Sequence, residues 1–139
     1  MNRPLTPEDI LTDVTSGDLN RKVAIDLLIS LIENSNDADI RIKCLRVFES
    51  IDMKCDEVFN LLESCLLSDK REEVRAKASQ LLIFDYPKKS IKSLKWAIQN
   101  EKSLTVLDAI EELLTISSKN YIAALKDEVN KRRKKLSKN

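Results

Sequence analysis

Apolar residues recur along this chain at spacings of three and four rather than two, which is the pattern of amphipathic helices. Short polar turns divide the pattern into separate segments. The predicted helices run approximately over 6–15, 19–33, 37–51, 55–67, 71–85, 88–100, 103–116 and 118–130. The sequence therefore predicts an all-α protein.

Residue choices at the ends of these segments agree with the pattern. Thr6 is a suitable N-cap, Pro7 suits the first helical position, and Gly17 is a helix stop. Pro87 predicts a turn between the fifth and sixth helices, because proline lacks a backbone donor and disfavours helix in the residue before it.

The apolar positions of alternate helices superpose when the chain is shifted by about 31 to 34 residues, which indicates an internal repeat of helical pairs. In the odd helices the superposed sets are Ile40, Cys44, Val47, Phe48; Val74, Ala78, Leu81, Leu82; and Val106, Ile110, Leu113, Leu114. In the even helices they are Val58, Leu61, Cys65; Ile91, Leu94, Ile98; and Ile122, Leu125, Val129.

Two of the odd helices carry a short motif in which an acidic residue precedes Ile-Arg or Val-Arg. The stretches 39–48 and 72–82, containing Ile40-Arg41 and Val74-Arg75, resemble one helix of a HEAT-like (armadillo-type) repeat. The resemblance implies a right-handed α-solenoid of about four helical hairpins, at about 6–33, 37–67, 71–100 and 103–130. The first and last hairpins fit by periodicity only, and an irregular helical bundle is the alternative fold.

The length of 139 residues favours one domain, which we predict over 1–130. In a HEAT-like array the second helix of each hairpin lines a concave surface that binds proteins or, less often, nucleic acid. The resemblance thus implies a non-enzymatic protein–protein interaction module, an adaptor or scaffold, that uses its even helices.

The amino-acid composition excludes several classes of enzyme and of binding site. With one glycine, neither a phosphate-binding P-loop nor a dinucleotide-binding glycine motif fits. With no histidine, the chain lacks the partner that Ser-His or Cys-His nucleophiles and HExxH zinc sites need. We expect no enzyme activity, no cofactor, no metal site and no small-molecule substrate.

The sixth predicted helix carries the strongest candidate binding surface. Its polar side combines four lysines with the sole tryptophan of the chain: Lys88, Lys89, Lys92, Lys95 and Trp96. An indole beside cations is typical of an anchor for a protein partner or a stacked base. In the alternative interpretation Trp96 packs against the next repeat and the lysines are simply solvated.

Positive charge is also concentrated at the C-terminus, although the chain as a whole has a net charge of only +1. We predict a basic tail over 131–139 that contacts phosphate or an acidic partner through Lys131, Arg132, Arg133, Lys134 and Lys135. Nucleic-acid binding through this tail and the Lys88–Trp96 face is the alternative function. Otherwise these cations only interact with the dipole of a fraying helix end.

The remaining features predict a cytoplasmic protein without stable membrane anchoring. No apolar run is long enough to cross a bilayer, and the first ten residues lack the apolar region of a secretory signal. Cys44 and Cys65 occupy inward positions and are expected to be reduced core residues, whereas Cys55 lies near a turn.

Overall fold

A computed structural model describes residues 5–52, 54–117 and 124–138, and in this part of the chain all regular secondary structure is helical. The helices are α1 (Pro7–Ser16), α2 (Arg21–Asn34), α3 (Ala38–Ile51), α4 (Asp56–Ser68), α5 (Glu72–Asp85), α6 (Ile91–Asn100), α7 (Leu104–Ile116) and α8 (Leu125–Ser137). The prediction of an all-α protein is confirmed. None of the helices within these residues is long and apolar enough to cross a membrane.

The ends of α1 form as the sequence predicts. Thr6 Oγ1 accepts from the Asp9 N–H at 3.1 Å, and Asp9 Oδ2 accepts from the Thr6 N–H at 3.0 Å, so the two side chains cap each other's backbone. Pro7 is the first helical residue. Gly17 ends the helix in the left-handed conformation, with φ of 87°, and its N–H bonds Val14 O.

Replacing Gly17 by alanine is expected to lower the free energy of unfolding by about 1 kcal/mol. A Cβ at this position would meet nothing within 4 Å, so the cost comes from the left-handed backbone alone. Urea unfolding followed by far-UV circular dichroism measures the loss. Thr12→Ala, on the exposed side of α1, is the control and should stay within about 0.5 kcal/mol of the parent. Equal stability of Gly17→Ala and the parent would contradict the assignment.

The sixth helix begins later than predicted, at Ile91 rather than near Lys88. Residues 87–90 form a separate turn, in which the Ser90 N–H bonds Tyr86 O at 3.0 Å and the buried Ser90 Oγ donates to Leu82 O at 3.2 Å. This hydroxyl ties the turn to the end of α5. Lys88 and Lys89 therefore precede α6 and do not lie on its polar face, which corrects the predicted arrangement.

The last helix continues beyond Asn130 to Ser137, so most of the predicted tail is helical. Leu125, Val129, Arg132 and Leu136 lie on one side of α8 at spacings of three and four. Arg132 occupies an inward position, where the methylene groups of its side chain continue the apolar stripe of this helix. A hydropathy pattern counts arginine as polar, and the predicted stripe therefore ends too early. The predicted start of this helix near Ser118, and the core residue Ile122, lie outside the described residues.

Most of the repeated apolar positions are buried. In the odd helices ten of the twelve superposed residues are buried, and Ile40 and Leu113 are half-buried. In the even helices Val58, Cys65, Leu94, Ile98, Leu125 and Val129 are buried. The periodicity therefore identifies the core correctly. Burial also raises the pKa of the Cys44 thiol to about 12, as suits a core cysteine, whereas Cys55 is half-buried.

The two arginines of the repeated motif make the same contact. The Arg41 guanidinium donates to Ser35 O at 3.1 Å and also to Ile32 O. The Arg75 guanidinium donates to Asp69 O at 2.9 Å. Each arginine thus binds a carbonyl six residues earlier and fastens the turn before its own helix. Two arginines that are 34 positions apart in the sequence therefore make equivalent contacts.

Contacts divide the chain into two compact units, one ending at Val58 and the other beginning at Phe59, within the first turn of α4. In the first unit α1, α2 and α3 pack on one another. In the second unit α7 packs on α5 and α8, and α6 packs on α8. The prediction of a single domain stays a prediction.

Candidate functional site

Helix α6 is strongly amphipathic. Ser93, Leu94, Ala97 and Ile98 are buried. Lys92, Lys95, Trp96, Gln99 and Asn100 are exposed and, at about 100° per residue, follow one another around the opposite side. Trp96 has 53 % of its surface exposed, so it is not buried against a neighbouring repeat. Three of the five predicted binding residues, Lys92, Lys95 and Trp96, therefore share one exposed surface, which we call the α6 face together with Gln99 and Asn100.

Lys89 and Lys88 are exposed in the turn before α6. The Lys89 ammonium lies 4.5 Å from the centroid of the Phe59 ring, and Tyr86 packs edge-on against the same ring at 5.4 Å. Phe59 is buried, so this cation–π contact helps to hold the turn against α4. Lys89 thus has a structural contact that its position in the sequence did not reveal.

A shallow hollow of about 240 Å³, which we call the Trp96 hollow, lies beside the indole. Leu66 and Leu67 at the end of α4 form its apolar wall together with Ala97. Asn100 lines the hollow, and its side-chain amide donates to Trp96 O at 2.8 Å. The hollow is smaller than typical small-molecule pockets of ~300–1000 Å³, and its size suits one apolar side chain of a partner better than a metabolite.

A buried ion pair lies behind the Trp96 hollow. The Arg75 guanidinium donates to both carboxylate oxygens of Glu101, at 3.0 and 2.9 Å, and both side chains line the hollow. The same carboxylate accepts from the backbone N–H groups of Lys102 and Ser103. Burial opposes ionisation of Glu101, but the bonds from Arg75, Ser103 and Lys102 outweigh it and hold the Glu101 pKa below its ordinary value. The pair is therefore charged at neutral pH and fixes the wall of the hollow.

On the other side of the α6 face lies a larger groove of about 710 Å³, which we call the basic groove. Gln99 and Asn100 line it from α6. From α8 it is lined by five cations and one carboxylate: Glu128, Lys131, Arg132, Lys134, Lys135 and Lys138. Gln99 Nε2 donates to Glu128 Oε2 at 3.2 Å and bridges the two helices. The groove therefore has a strong excess of positive charge.

The two arginines of the predicted phosphate-binding set are held by groups of the second unit. Arg132 Nε donates to Glu101 O at 2.7 Å. Arg133 bonds Asp108 Oδ1 at 2.6 Å and also the Glu111 carboxylate. These contacts dock α8 on the loop after α6 and on α7, so both arginines have a structural role. Lys131, Lys134 and Lys135 line the basic groove together with Arg132.

Sequence reasoning missed three features of this surface. It did not identify the Trp96 hollow, the Glu101–Arg75 pair, or Lys138 as a member of the groove. It combined the Lys88–Trp96 face and the C-terminal cations only in the nucleic-acid alternative and did not predict how they meet; Asn100 lines both the Trp96 hollow and the basic groove. Among the described residues no cluster of His, Cys, Asp and Glu side chains could hold a metal ion.

Comparisons of the chain with models of protein families, with curated proteins and with solved structures find no match.

Proposed function

We propose that this chain is a non-enzymatic interaction module, an adaptor or scaffold, that binds a partner protein on the α6 face. The observation that carries the proposal is the position of Trp96, half-exposed at the edge of a hollow with one apolar wall and flanked by Lys92 and Lys95. Tryptophan is enriched among the residues that contribute most binding energy at protein interfaces, because it brings a large contact area at a small entropy cost.

The fold we propose for this module is a HEAT-like α-solenoid. Support comes from the repeated apolar register and from the equivalent contacts of Arg41 and Arg75. Within the second unit, contacts between α5 and α7 and between α6 and α8 join helices two apart in the chain, as stacking of helical pairs requires. In such a stack α6 and α8 are second helices, and their outer sides form one surface.

The double variant Trp96→Ala/Lys92→Glu is expected to lose the partner while keeping the helical content of the parent. The parent and the variant are immobilised and exposed to extract of the source cells, and a captured protein is identified, purified and titrated against both. We expect at least about a tenfold loss of affinity, since truncation of an interface tryptophan typically costs ~2 kcal/mol or more.

Leu104→Ala/Lys70→Glu is the matched control, because it also removes one exposed large apolar side chain and reverses one exposed lysine. This control should bind as the parent does. Equal affinity of all three proteins would show that the partner docks elsewhere, and the proposed site would be wrong.

A further inference from the structure

We propose that the ligand of this surface is an extended acidic protein segment that places one apolar side chain in the Trp96 hollow and lays its carboxylates along the basic groove. The inference rests on the proposed function, because it uses the same α6 face. It adds α8 to the site and specifies the chemistry of the partner.

The first argument is continuity. Asn100 lines both the Trp96 hollow and the basic groove, and Gln99, one residue earlier, bonds Glu128 on α8. Because α6 packs directly on α8, a chain leaving the hollow crosses one helix and reaches the groove. Two groups of residues that the sequence analysis names separately are thus two ends of one surface.

The second argument is charge. Lys131 and Lys134 on α8 and Lys138, directly after its last residue, recur at spacings of three and four, on the side away from Leu125 and Val129. At ~1.5 Å per residue this row extends over about 10 Å, the length of three extended residues of a partner. Lysines on flexible stems can follow carboxylates that are not fixed in one geometry. An acidic segment is therefore the complementary ligand.

The third argument separates a protein segment from nucleic acid. The Trp96 hollow includes the carboxylates of Asp69 and Glu101, and the groove contains Glu128. The Asp69 and Glu101 carboxylates are buried and paired with Arg71 and Arg75, and the hollow keeps an apolar wall of Leu66, Leu67 and Ala97, which suits an aliphatic side chain better than a charged phosphate. The Arg133 guanidinium is paired with the Asp108 and Glu111 carboxylates, and Arg132 uses its Nε to bond Glu101 O, so the groove offers mainly lysines rather than the free guanidinium groups that bind phosphate best.

The test uses the full chain and an acetylated, amidated peptide of one leucine followed by about eight glutamates, which is long enough at ~3.3 Å per residue to pass the hollow and the lysine row. The chain contains one tryptophan, so its emission reports directly on the hollow. At low ionic strength we expect a saturable change in this emission. Replacing the leucine of the peptide by serine should weaken binding, because the apolar contact is lost.

Charge reversal on α8 gives the decisive comparison. Lys134→Glu/Lys138→Glu should weaken peptide binding by about tenfold or more. Arg21→Glu/Lys54→Glu changes the net charge equally at exposed positions that line neither the hollow nor the groove, and should bind within about twofold of the parent. Because acidic residues near a helix C-terminus oppose the dipole, Lys134→Gln/Lys138→Gln repeats the test without added negative charge.

Each other outcome overturns the inference in a distinguishable way. If the α8 variants bind the peptide like the parent while Trp96→Ala/Lys92→Glu does not, the extension to α8 is wrong and the proposed function stands; because that variant lacks the only tryptophan, this comparison is made by titration calorimetry on all the proteins. If an oligothymidylate of equal charge binds and the peptide does not, the ligand is nucleic acid. If neither probe binds, the acidic-segment proposal is wrong, and capture of a partner by the α6 face is judged separately.

Discussion

Replacing Glu101 by glutamine is expected to destabilise the second unit by about 2–3 kcal/mol at neutral pH. The buried carboxylate accepts two bonds from Arg75 and two from backbone N–H groups, and an amide can replace only part of them. The substitution also leaves the Arg75 guanidinium, most of which is buried, without its counter-charge. Urea unfolding followed by Trp96 emission measures the loss, because the indole belongs to this unit.

The effect of this substitution should depend on pH in one direction. The folded-state pKa of Glu101 lies below its ordinary value of 4.5, so its contribution to stability is complete above that value and disappears as the pH falls through the folded-state pKa. The difference between parent and Glu101→Gln should therefore be largest near pH 7 and shrink below about pH 4. Glu112→Gln, at an exposed position of α7, is the control and should change stability by less than about 0.5 kcal/mol. A pH-independent loss, or an equal loss in the control, would contradict the role of the ion pair.

Glu101 also shows where sequence reasoning stops. In the sequence it is one acidic residue between Asn100 and Lys102, and nothing in its neighbourhood indicates burial. Its importance comes from Arg75, 26 positions earlier, and from Arg132, 31 positions later. Apolar periodicity locates the side of a helix that faces the core, but it does not indicate which charged groups meet when helices pack. The same limit explains why the Trp96 hollow, formed by α4 and α6, was not predicted.

Helix boundaries show a related limit. Caps that act within one turn were readable, as at Thr6 and Gly17, because the cap residue and its partner are neighbours in the chain. The predicted start of α6 is too early. The turn that precedes the helix is held by a hydrogen bond from Ser90 back to Leu82, and such a contact is not visible in the local sequence. On α8 the helix was ended too early because an arginine, Arg132, fills an inward position that the pattern reserves for apolar residues.

The contacts in the structure divide the C-terminal cations into two groups with different roles. The C-terminal cations separate into two arginines that dock α8 and a row of lysines that faces outward. In the sequence the six cations form one basic tail. In the structure they differ in angular position around the helix axis, so the arginines contact neighbouring parts of the chain and the lysines are exposed. The acidic-segment proposal depends on this division, because the lysines supply most of the positive charge that lines the basic groove.

Replacing Leu107 by alanine is expected to cost about 3 kcal/mol, within the range of ~2–5 kcal/mol for a large-to-small change in a packed core. Leu107 is fully buried on α7, which packs between α5 and α8. The substitution removes apolar contacts and leaves a cavity that the neighbouring helices α5 and α8 fill only partly, because ion pairs from Arg75 and Arg133 hold each of them in place. Urea unfolding followed by Trp96 emission again measures the loss.

Leu104 gives a matched control on the same helix, one turn earlier. Its side chain is 48 % exposed, so Leu104→Ala removes the same atoms with about the same helix propensity change but creates no cavity. We expect it to change stability by less than about 1 kcal/mol. The ratio of the two losses tests the orientation of α7 directly: similar losses would mean that α7 is rotated about its axis. The repeat register that places Val106, Ile110 and Leu114 in the core would then be wrong as well, and with it the support for a HEAT-like stack.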